Sequence, residues 1–152
     1  MRRRENTEKG AALAELAILL PVALAALVGS VDLGRAGYEA IAVANAARSG
    51  AAYGSFSPDR ATDIAGMEAA ATDDLSKSLP EGSFTVRASR YCTCGDGTLI
   101  ACDAPFGVCD VSTLGRRMYV RVRVTKTFNT LLAYPGLPSS IALEREAHMR
   151  AE

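Results

Sequence analysis

The chain has no tryptophan, few other aromatic residues, a single histidine and no net charge, and each scarcity removes a class of function. Aromatic residues make up 6% against 49% hydrophobic residues, so the apolar content comes largely from small side chains that pack helix against helix. Such a composition folds and is not that of a disordered chain. Seventeen basic residues are balanced by seventeen acidic ones. That balance leaves no overall basic field, so nucleic acid is not an expected partner. The lone His148 excludes a two-histidine metal site and leaves no credible catalytic triad; a surface position is expected for it. Paired carboxylates in a cleft pattern and glycine-rich phosphate loops are missing as well. The chain is therefore expected to have no enzymatic activity, catalytic residue, cofactor or metal. Its 152 residues leave room for one ordinary domain, or for one small domain plus an appendage.

What is present begins with an asymmetry of charge. Arg2, Arg3, Arg4 and Lys9 oppose only Glu5 and Glu8, and then Ala11 to Val31 reads AALAELAILLPVALAALVGSV, with Glu15 its only ionisable side chain. As a helix this run is roughly 31 Å long, close to the ~30 Å hydrocarbon core of a bilayer. Pro21 is tolerated in a spanning helix. The basic leader keeps the amino terminus cytoplasmic and sends the chain beyond Asp32 to the far side. A buried core helix and a removable signal peptide cut near Ser30 are the rival readings. Two features favour a retained membrane helix. Helix-compatible sequence continues through VDLGRAGYEAIAVANAARSGAAYG, with Val31, Tyr38, Ile41 and alanines at 36, 40, 44, 47 and 51 near helical spacing. Glu15, moreover, is costly among apolar neighbours unless it serves a purpose. A cut between Gly10 and Ala11 frees an α-amino group four residues upstream, one turn away on the same face, and so supplies the countercharge.

The basic leader, Gly10, the acid at the fifth position after it and the unbroken apolar helix resemble a type IV pilin-like (class III) signal. More narrowly, GAALAELAILLPVALAALVGSVDLGRAGYEAIAVANAARSGAAYG is similar to the TadE-like minor pseudopilins of tight-adherence (Flp) pilus systems. The likeness includes Pro21, the group Asp32, Gly34, Arg35 and Tyr38, and the stretch Ala46, Ala47, Arg48; Leu16 stands where the family often has an aromatic residue. The resemblance implies cleavage by a prepilin peptidase after Gly10 and a role for Glu15 in processing and subunit docking. It implies as partners other pilins and minor pseudopilins, the inner-membrane assembly platform and inner-membrane lipid. Function would then be initiation, priming or capping of a pilus. The alternatives are a single-pass envelope scaffold with a periplasmic domain and a secreted soluble binding module.

The remaining sequence predicts an α+β head: one helix packed on an antiparallel sheet, with a disulfide-tied loop. The expected divisions are a leader over 1–10, a long helix over 11–54 that spans the membrane in its first half, and a periplasmic head over 59–152. Turn residues from Tyr53 to Pro58 end the long helix. Ile64, Met67, Ala71, Leu75 and Leu79 then form one apolar stripe on a helix from Asp59 to Leu79. Phe84, Val86 and Ala88, and again Val120, Val122 and Val124, alternate with polar residues as strands do. Ile141 to Arg150 is assigned as a third strand, and Leu132 to Ser140, with Pro135, Gly136 and Pro138, as a loop. Arg116, Arg117, Arg121 and Arg123 are expected to face water, and Lys126 to pair across strands with Glu144 or Glu146.

Cys92, Cys94, Cys102 and Cys109 lack the knuckle spacing of zinc sites and the C-x-x-C of redox centres. Outside the cytoplasm they predict two disulfides. A bridge between Cys92 and Cys94 is strained, so each bonds to Cys102 or Cys109, in either order. Gly95, Asp96 and Gly97 supply the turn between them, and Asp96 with Asp103 falls short of a calcium loop. This cysteine cluster, RRMYVRVRV and the terminal AHMR are similar to the outer part of TadE-like proteins.

Overall fold

The structure is a computed structural model; it describes the backbone of residues 2–79, 82–105, 107–109, 115–132, 136 and 138–151, and side chains from residue 12 onward. The elements run α1 (Arg2–Ser55), α2 (Pro58–Thr62), α3 (Ile64–Ser78), β1 (Phe84–Cys94), β2 (Leu99–Ile100), β3 (Arg116–Asn129) and β4 (Ser140–Arg150). They divide into two compact units, Met1–Gly37 with Thr130–Ser139, and Tyr38–Asn129 with Ser140–Glu152.

The first unit is the apolar part of α1 with the β3–β4 loop. Alanine and leucine make α1 a strong helix, and Pro21 lies inside it. The loop is closed at its neck, where the Thr130 amide donates to the Ser139 carbonyl at 3.1 Å.

The second unit is α+β. Its sheet is antiparallel in the order β2-β1-β3-β4. The expected apolar stripe is present: Met67, Ala71 and Leu75 of α3 are buried, with Ile64 and Leu79 packed at its ends. They share one core with Val120, Val122 and Val124 of β3 and with Val43, Ala46, Ala47 and Ala51 of α1. On α1, Tyr38 and Ile41 are exposed; the core face is carried instead by small residues from Ala42 onward. Small residues let the helix backbone come close. A Cβ at Gly50 would lie 2.7 Å from the Met67 carbonyl oxygen and 3.1 Å from Val122 Cγ1.

Three expectations require correction. The helix expected from Asp59 to Leu79 is two, because Asp63 leaves helical geometry and its Oδ1 accepts the Gly66 amide at 2.9 Å, capping α3. Ser57 caps α2 in the same way through the Arg60 amide. Among the described residues the sheet has four strands, since the turn at Gly97 (φ 90°) folds Leu99–Ile100 back onto Cys92 and Thr93. Lys126 does not pair with Glu144 or Glu146. It has the same parity as Val120, Val122 and Val124, so it points inward, is 5% exposed, and its Nζ lies 3.4 Å from Glu39 Oε2 of α1. The acids pair with arginines instead: Glu146 with Arg121 and Arg123, and Glu144 with Arg123. The strand assigned from Ile141 to Arg150 is present as β4.

Candidate functional site

In the first unit the features expected to carry function lie along α1. Gly10 and Ala11 are helical in backbone, but their side chains lie outside the described residues, and so does the chemistry of the expected cut. Glu15 is exposed, with Ala12, Ile18 and Leu19 one turn away on its face. Among the described residues no cation pairs with it. Around it Leu13, Leu16, Ile18, Leu19, Leu20, Val22, Leu24 and Leu27 are all more than half exposed, so the segment shows apolar surface on every side. From Ala12 the helix is long and apolar enough to cross a membrane. Cβ atoms added at Gly34 and Gly37 would meet nothing within 4 Å.

Asp32 ends the apolar run, and its role was not visible in the sequence. It is 5% exposed, and its carboxylate accepts the Leu131 amide at 3.0 Å (Oδ2) and 3.2 Å (Oδ1). The Arg35 guanidinium donates to Oδ1 at 3.1 Å. One acid thus clasps the β3–β4 loop to the helix across 99 positions of sequence. The only local hint was an acid followed by an arginine three residues later, which marks an intrahelical pair and nothing about the loop.

In the second unit Tyr38 donates to the Ser78 carbonyl at 3.5 Å, at the end of α3. The cysteines are joined as Cys92–Cys102 and Cys94–Cys109, which resolves the order left open above. Arg116 does not simply face water: its guanidinium donates to the Cys102 and Ala104 carbonyls at 2.8 and 3.2 Å and ties the bridged loop to β3. Asp96 accepts the Thr98 amide inside the turn, and that bond holds its carboxyl below the ordinary range.

The outer face of the sheet is a polar ladder. Tyr91 and Tyr119 are cross-strand neighbours with ring centroids 5.2 Å apart, and the His148 ring meets Tyr91 edge-on. The Arg123 guanidinium hydrogen-bonds Glu146 and lowers its carboxyl pKa. Asp63 is lowered by the Gly66 amide and by the Tyr53 hydroxyl; the same hydroxyl bond raises Tyr53. These contacts organise a polar surface on the sheet.

No curated protein and no solved structure matches the chain. The family described as TadE-like protein matches residues 10–52, the stretch that opens at Gly10 and includes Glu15, Asp32, Arg35 and Tyr38. Over that amino-terminal stretch, under a third of the sequence, the chain is similar to TadE-like proteins.

Proposed function

We propose that the protein is a minor pseudopilin, made with a cytoplasmic leader over residues 1–10 and cut after Gly10 by a prepilin peptidase. The mature chain begins at Ala11, is held in the inner membrane by the first half of its 11–54 helix, and presents residues 59–152 as a periplasmic head. It acts by assembly with other pilins and the inner-membrane platform, at the initiation, priming or capping of a pilus, and performs no catalysis.

The observation that supports this most is Glu15, exposed among apolar side chains at the fifth position after Gly10, where the family match begins. A carboxylate in a lipid-facing segment costs about 2.5–3.5 kcal/mol at the helix centre, so its presence calls for a partner. The freed amine of Ala11, in the same molecule or on a neighbour packed alongside, is that partner. Replacing Glu15 with alanine removes a costly charge and should leave membrane insertion intact, while abolishing co-isolation with the other pilins. Normal incorporation of Glu15→Ala into pili would refute the docking role.

A further inference from the structure

The clasp at Asp32 has a geometric consequence for the loop it holds. If Ala11 to Val31 spans the bilayer, Asp32 sits at the outer end of the span, where hydrocarbon gives way to headgroups. The Leu131 amide is bonded to that carboxylate, so Leu131 and Leu132 lie at the same depth. Both are exposed, at 55% and 49%, and so are Val31 and Leu33, the sequence neighbours of Asp32 in the helix. The Thr130 hydroxyl donates to the Leu132 carbonyl at 2.9 Å and directs the chain at the loop's neck. From Thr127 to Leu143 the sequence has no charged side chain, whereas the hairpin on either side is dense in charge, with Arg121, Arg123 and Lys126 before and Glu144, Arg145 and Glu146 after. A hairpin meant for water has no reason to shed every charge at its tip.

We propose that Leu131 and Leu132, at the start of the β3–β4 loop, are a second membrane contact, entering the headgroup and upper acyl region of the outer leaflet. Asp32 is the positioning residue. It satisfies the Leu131 amide so that this backbone does not enter the interface with an unmet donor, and Arg35 balances its charge. The occupant is lipid, because Leu131 is tied to Asp32 at the end of the spanning run and both leucines are exposed there, as are Val31 and Leu33 on either side of Asp32 in sequence. The inference rests on the membrane-anchor reading, and the test separates the two.

The chain has no tryptophan, so one introduced indole is the only one in the protein. Full-length Leu131→Trp and Leu132→Trp would be placed in phosphatidylcholine vesicles at high lipid excess. Leu24→Trp reports the spanning helix, and Phe56→Trp reports water, since Phe56 is 74% exposed in the second unit. Lipids brominated near the headgroup should quench both loop indoles about twofold, more than lipids brominated near the chain ends, and iodide should barely reach them. Adding Asp32→Ala to Leu131→Trp should shift the indole toward iodide. Loop indoles as open to iodide as Phe56→Trp, with Leu24→Trp quenched by bromines, would overturn the loop contact and leave the anchor standing. Shielding from iodide and bromines alike would mean that protein covers the leucines, which also overturns it. An unquenched Leu24→Trp would overturn the anchor and the loop contact together.

Discussion

At the scale of single residues, the buried ion pair of Lys126 with Glu39 is the least expected feature of the second unit. Period two places Lys126 in the inward row of β3, and Glu39 of α1 meets it at 3.4 Å. Removing one member leaves the other charge desolvated, so Lys126→Met should destabilise this unit by about 3–5 kcal/mol, with most of the loss recovered in the double variant Glu39→Gln, Lys126→Met. Urea unfolding followed by circular dichroism checks both; equal losses in the single and double variants would contradict the pairing. Glu146 predicts the acid limb of stability. Its native pKa is lowered by Arg123, as that of Asp63 is by the Gly66 amide. The unfolded chain therefore binds more protons as the pH falls. The stabilisation is complete above the ordinary carboxylate range of about 4 and is lost as the pH drops through the lower native values. Urea midpoints should fall with acidification below that range, and less steeply in Glu146→Gln.

At the scale of elements, glycine placement separates a packed helix face from an open one. Gly50 faces the Met67 carbonyl with no space for a methyl group, whereas Gly34 has nothing within 4 Å. Gly50→Ala should cost about 1–3 kcal/mol through overpacking. Gly34→Ala should be neutral or gain about 0.5–1 kcal/mol from helix propensity. Thermal melts in detergent distinguish the two. The elements that were legible in the sequence are those whose periodicity is long: the apolar run of α1, the stripe from Ile64 to Leu79, and the alternation around Val122. Short or nonlocal features were not. Leu99–Ile100 is too brief to show alternation, and Asp63 reads as one more polar residue on a helix, although its side chain accepts the Gly66 amide and starts a new one. The charge of Lys126 points to the acids of β4, whereas its parity with Val124 turns it inward. The Asp32 clasp joins residues whose separation in the chain exceeds any local pattern.

At the scale of the whole molecule, a helix segment that shows apolar surface on every side continues into a unit with its own core, two disulfides and, among the described residues, four strands. An acid exposed on such a helix is tolerable in lipid when a cation lies one turn away, and the proposed trimming after Gly10 would create that cation. Amino-terminal sequencing of the protein isolated from cells carrying the matching peptidase tests this most directly. The account predicts Ala11 as the first residue. A start near Val31 would mark a secreted module, an intact Met1 a plain single-pass envelope protein, and either would contradict it.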